Sequence, residues 1–109
     1  MSKGFTLAKT WEKATKLHEE IHVEDDILTL LYDELDDIKS EYSILWKIVE
    51  DFYGDVKLKP NELPILKNEI KKLIYNKKLD FAAVEFLNIL KNLCDKGIKQ
   101  RLTLWGIAD

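Results

Sequence analysis

The residues best suited to chemistry stand in one short run, His18-Glu19-Glu20-Ile21-His22. The run matches the pattern H-E-x-x-H. On a helix, two imidazoles four residues apart share a face and can hold zinc, and the glutamate beside the first can activate a metal-bound water. The spacing is right, but the setting is polar: Glu20 and Glu24 flank the pair and make a solvated face. No third histidine stands in the chain, so a third ligand would have to be a carboxylate such as Asp26 or Glu34. Other reactive arrangements are weaker. Cys94, the one cysteine, sits on an apolar stripe between Leu93 and Ile98 and reads as a buried structural thiol. The adjacent acids Asp25-Asp26, Asp36-Asp37 and Glu50-Asp51 point about 100° apart on a helix and form no acid/base dyad. The four glycines are scattered and make no phosphate-binding loop.

Over its five residues the run resembles the zincin metalloprotease motif. That resemblance implies a zinc-dependent hydrolase with His18, Glu19 and His22 in its site. Zincin helices, however, are apolar at the position that Glu20 holds here. Two boundary histidines near a helix end are the plainer reading. We therefore expect no catalytic residue, no cofactor and no dedicated metal site, with His18 and His22 as weak metal candidates only.

The elements that must carry these residues are organised around Asp25 to Gly54. Leu28, Leu31, Leu35, Ile38, Tyr42, Leu45, Val49 and Phe52 recur in alternating steps of three and four, an apolar seam on one face of a single long helix. A helix over Asp26 to Tyr53 would be on the order of 40 Å long, with Gly54 as its stop, and it leaves room for a break near Ser40. Before it, Leu7, Trp11, Ala14, Leu17 (or His18) and Ile21 predict a first helix from Phe5 to about Ile21. After it, Asp55 to Leu63 reads as the main loop. Pro64 opens a third helix with the stripe Leu66, Ile70, Leu73 and Ile74, ending at Asn76-Lys77-Lys78. Asp80 caps a fourth helix, on which Phe81, Val84, Leu87, Leu90, Leu93 or Cys94, Ile98 and Leu102 keep the period to about Thr103. Gly97 either ends that helix early or permits close packing within it. The expected fold is all-α: a four-helix antiparallel bundle, one domain over 1–109, with a long acidic second helix.

Charge is unevenly distributed. Residues 1–16 carry four lysines and one acid, for +3. Residues 17–56 carry 13 acids against Lys39 and Lys47, for −11, and residues 57–109 carry 11 bases against six acids, for +5. The net value of −3 conceals this asymmetry. A lone cysteine makes no internal disulfide, the start Met1-Ser2-Lys3-Gly4 reads as no signal peptide, and no apolar run approaches the ~20 residues of a membrane span. A cytoplasmic protein that binds neither membrane nor nucleic acid is expected, because the acidic stretch would repel phosphates.

A chain of this length, helical throughout, with an acidic face and with the ending Phe86-Leu87-Asn88-Ile89-Leu90-Lys91-Asn92-Leu93-Cys94 running into Gly106-Ile107-Ala108-Asp109, resembles the small immunity proteins of bacterial toxin systems, of bacteriocin or contact-dependent inhibition type. The likeness is one of general type. It implies a non-enzymatic inhibitor that blocks a basic partner such as a nuclease toxin domain. On that reading Asp33, Glu34, Asp36, Asp37 and Glu41 make the contacts and Tyr32 is an aromatic anchor. Two other readings compete. One is a structural or adaptor homodimer built on a seam widened by Ile27, Leu30, Trp46 and Ile48. The other is a minimal zinc hydrolase at His18, Glu19 and His22.

Overall fold

The computed structural model describes residues 2–108 and replaces the expected all-α bundle with a mixed α/β fold. Met1 and Asp109, the ends of the expected domain, lie outside the described residues. In chain order the elements are β1 (Ser2–Ala8), α1 (Trp11–Lys16), β2 (Ile21–Glu24), α2 (Asp25–Leu35), a 3-10 turn (Asp36–Glu41) and α3 (Ser43–Val49). Next come β3 (Val56–Leu58), a second 3-10 turn (Pro60–Glu62), α4 (Leu63–Asn76), α5 (Phe81–Gln100) and β4 (Thr103–Ala108). The four strands form one antiparallel sheet in the order β2-β1-β4-β3. Its centre is the pairing of β1 with β4, in register from Lys3 opposite Ala108 to Ala8 opposite Thr103.

The expected first helix fails because its start, from Phe5 to Ala8, belongs to β1, a strand buried on both faces, and its end at Ile21 opens β2. Phe5 and Leu7 point into the main core with the seam of α2 and α3. The alternate residues Ser2, Gly4, Thr6 and Ala8 are small, so the segment around α1 can lie close over the other face. A Cβ on Gly4 would collide with the Glu19 side chain. On that face Ala8, Ala14 and Trp105 make a second small cluster, and Trp105 Nε1 donates to the Ala8 carbonyl at 3.0 Å. Only Trp11–Lys16 remains helical, with Thr10 as its N-cap.

The long acidic second helix is likewise corrected. It stops at Leu35, where the chain tightens into the 3-10 turn and then departs from helical geometry at Ile38 (φ −125°, ψ 16°) and Tyr42 (φ −134°, ψ 45°) before α3 begins. The seam survives the break: Leu28, Leu31, Leu35, Tyr42, Leu45 and Val49 are buried, and Ile38 and Phe52 are half-buried against them. The stretch after Gly54 is not only loop, because β3 lies within it.

The third and fourth helices form where their signals lie. Pro64 sits in the first turn of α4, Leu66, Ile70 and Leu73 are buried, and Asp80 Oδ1 accepts from the Ala82 amide at 2.9 Å. Phe81 departs from expectation: it is 79 % exposed. Gly97 permits close packing, since a Cβ there would lie 2.6 Å from Leu63 Cδ1. The helix ends at Gln100 rather than Thr103. Arg101 takes the left-handed conformation (φ 56°, ψ 49°), the Leu102 amide donates back to Gly97 O at 3.0 Å, and the chain turns into β4. Among the described residues no helix is long and apolar enough to cross a membrane.

Candidate partner-binding face

The acidic residues expected to meet a partner fall on the exposed side of α2 and on the 3-10 turn after it. Burial of Leu28, Leu31 and Leu35 fixes the rotation of α2, and that rotation sends Asp33 outward and leaves Glu34 half-exposed. Asp36, Asp37 and Glu41 are exposed on the 3-10 turn. Lys39 reaches Asp36 Oδ1 at 3.3 Å and lies 5.1 Å above the Trp46 ring. The carboxylates of Asp33, Glu34, Asp37 and Glu41 make no ion pair among the described residues. Tyr32 is half-buried, with its ring 4.9 Å from Trp46 and 6.0 Å from Phe52. It therefore forms one wall of an aromatic cluster beside the acids rather than a freely projecting anchor.

Two charged residues that spacing alone does not single out hold this face in place. Glu69 of α4 is buried, and its Oε1 accepts from the amides of Ile44 (3.1 Å) and Leu45 (2.8 Å). It supplies the N-terminal cap that Tyr42 lacks, with a negative charge at the positive end of α3. Lys3 of β1 is fully buried, and its Nζ donates to the carbonyls of Ile48 (3.2 Å), in the last turn of α3, and Asp51 (2.8 Å), just past it. Burial lowers the Lys3 pKa, while the carboxylates of Asp51, Asp55 and Asp25 pull it back up. Lys72 adds a tether, donating to the Glu41 carbonyl at 2.9 Å with its ammonium 4.4 Å from the Tyr42 ring. The sequence does carry signals for these roles. Lys3 falls on the same side of a strand as Phe5 and Leu7, and Glu69 stands three residues after Leu66 on the apolar side of α4.

The H-E-x-x-H run does not form the helical pair that its spacing suggests. His18 lies in the segment between α1 and β2, and His22 is in β2, so no single helix face presents both. His22 Nδ1 meets Glu19 Oε1 at 2.9 Å and its Nε2 lies 3.4 Å from Glu24 Oε1, which places both ring nitrogens against carboxylates at the surface. Among the described residues no three side chains of the histidine, cysteine, aspartate and glutamate set cluster as metal ligands. Cys94 is buried in the main core, and burial, aided by Asp95 against the pull of Lys67, pushes its thiol up to about 12. A thiol held that high is protonated at neutral pH and is no nucleophile.

No protein-family model, curated protein or solved structure matches the chain.

Proposed function

We propose that the chain is a cytoplasmic, non-enzymatic binding protein that neutralises a basic partner, such as a nuclease toxin domain, in the manner of an immunity protein. The observation that carries this reading is the set of exposed or half-exposed carboxylates from Asp33 to Glu41, of which only Asp36 makes an ion pair among the described residues, next to the half-exposed Tyr32 and Trp46. Carboxylates in a row stand in for phosphates against a nucleic-acid groove and speed encounter by electrostatic steering. Tyr32 and Trp46 supply flat apolar area at the edge of the charged patch. An adaptor homodimer is less well supported, because the residues that widen the seam do not form one open apolar face: Ile48 is buried in the core, and Ile27, Leu30 and Trp46 are each partly covered by packing against it.

The test is association with the product of the adjacent reading frame, measured by calorimetry and by inhibition of any nuclease activity that product has. Binding that weakens with salt, and that falls by at least about tenfold on Asp36→Lys with Asp37→Lys, supports the reading. A neighbouring product that does not bind, or binding indifferent to these reversals, removes it.

A further inference from the structure

At the end of the sheet away from β3, strand β2 pairs with β1 alone, and among the described residues nothing pairs with its outer edge. A free edge presents a row of backbone donors and acceptors. Beside this one runs a groove of about 610 Å³, between β2, the start of α2 and the first half of α5. Its floor is apolar, formed by Ile21, Val23, Ile27, Phe86, Phe81 and Ile89. Phe81 and Ile89 are 79 % and 42 % exposed, on a helix whose other face is buried in the core. They line the groove from the α5 side, across from Ile21 and Val23 of β2. The rim is acidic. Glu24 and Glu85 are exposed and meet no lysine or arginine among the described residues, whereas Glu20 is held by Lys96 at 2.6 Å.

We infer that this groove receives an extended, basic segment of a partner protein as a fifth strand, with apolar residues alternating with lysine or arginine. Main-chain bonds to β2 supply the register, the alternate apolar side chains enter the floor over Phe81 and Ile89 on the face that Ile21 and Val23 share, and the basic ones, on the opposite face with His22, meet Glu24. A second copy of this chain is the wrong occupant. Antiparallel pairing of two β2 edges centred on His22 would set Glu20 of each copy against Glu24 of the other, and like charges across a strand pair are unfavourable. The surface is separate from the acidic side of α2, so the inference does not depend on the function proposed for that side.

The experiment uses the whole chain and a short synthetic peptide alternating lysine with valine, followed by amide and methyl NMR shifts. Movement confined to the Ile21–Glu24 amides and the Ile27 and Ile89 methyls is expected. So is binding at least about tenfold tighter than that of the glutamate/valine counterpart. Phe81→Lys with Ile89→Lys, at sites already open to solvent, should weaken the peptide by about tenfold or more while leaving the thermal midpoint in place, and Glu24→Lys should weaken it on its own. Asp33→Lys with Asp37→Lys should leave it unchanged. The inference is overturned if the β2 amides do not move, if the acidic peptide binds equally well, or if the peptide is lost with the Asp33 and Asp37 reversals instead. Concentration-dependent dimerisation through β2 without peptide would overturn it as well.

Discussion

The ammonium of Lys3 reaches from the central strand to the carbonyls of Ile48 and Asp51, and the chain holds it there at an electrostatic cost. Burial lowers its pKa from 10.5, only partly offset by Asp51, Asp55 and Asp25. The unfolded chain therefore binds the proton more tightly than the folded one. Between the lowered folded value and 10.5 the unfolded state carries more protons, so the group's contribution to stability rises with pH across that window and is smallest, and constant, below it. Lys3→Met removes the titration and the two donated bonds together. Urea unfolding of both proteins at a series of alkaline pH values should show the stability difference moving in favour of the native lysine as pH approaches 10.5. A pH-independent difference would mean that Lys3 titrates alike in both states.

At the scale of elements, α3 is the least self-sufficient piece. It has seven residues, no side-chain cap of its own and non-helical backbone just before it. Isolated helices this short do not persist in water. Its order comes from its buried seam and from Glu69, whose removal by Glu69→Ala would leave the Ile44 and Leu45 amides buried without an acceptor. We expect a loss of about 1–3 kcal/mol in denaturant unfolding, with hydrogen exchange accelerating first at Ile44 and Leu45. If exchange rises uniformly instead, Glu69 does not act through α3. The elements also differ in how far they can be read from sequence. In α4 and α5 the period, Pro64 and Asp80 all agree, and both helices form. The α2–α3 seam is legible as a buried surface but not as broken backbone, because a 3-10 turn preserves steps of three and four. The sheet is concealed for a different reason. The small residues Ser2, Gly4, Thr6 and Ala8 on one side of β1, and Lys3 on the other, erase the alternation that marks a half-buried strand. The start of β4 passes for helix because Ile98 and Leu102 continue the helical period, and the stop is Arg101, a residue type that rarely takes a left-handed conformation. In β4 itself, Gly106 leaves space for the Phe5 ring and Val56: a Cβ would lie 2.8 Å from Phe5 Cε1 and 2.5 Å from Val56 Cγ1. The acidic candidates are legible because their exposure follows locally, from the rotation of α2 for Asp33 and from the 3-10 turn for Asp36, Asp37 and Glu41. Glu69 and Lys3 show in the sequence only as charges on apolar sides, and their partners do not show, because those lie 24 to 48 residues away.

For the molecule as a whole, the acids gathered in residues 17–56 must be accommodated at close quarters, and the fold relieves them only in places. Lys96 reaches Glu20, Lys3 sits near Asp51, Asp55 and Asp25, and Lys39 meets Asp36. Asp33, Glu34, Asp37 and Glu41 receive no such partner among the described residues. Exposed ion pairs are each worth about 0–1 kcal/mol, so the pairs that salt would weaken are a small term. The uncompensated carboxylates repel one another through solvent, and salt screens that repulsion with a length of about 8 Å at physiological ionic strength. Repulsion should therefore decide the sign: the urea midpoint should rise as sodium chloride is raised from near zero to about 0.15 M. Asp33→Lys with Asp37→Lys should raise stability at low salt by about 0.5–1 kcal/mol and flatten the salt dependence. A midpoint that falls with salt, or a reversal variant that is less stable than the native chain, would mean that the basic helices already neutralise the face. A gain on reversal would mark a surface kept charged against the interest of the fold, which is the pattern expected where charge serves recognition of a basic partner and not stability.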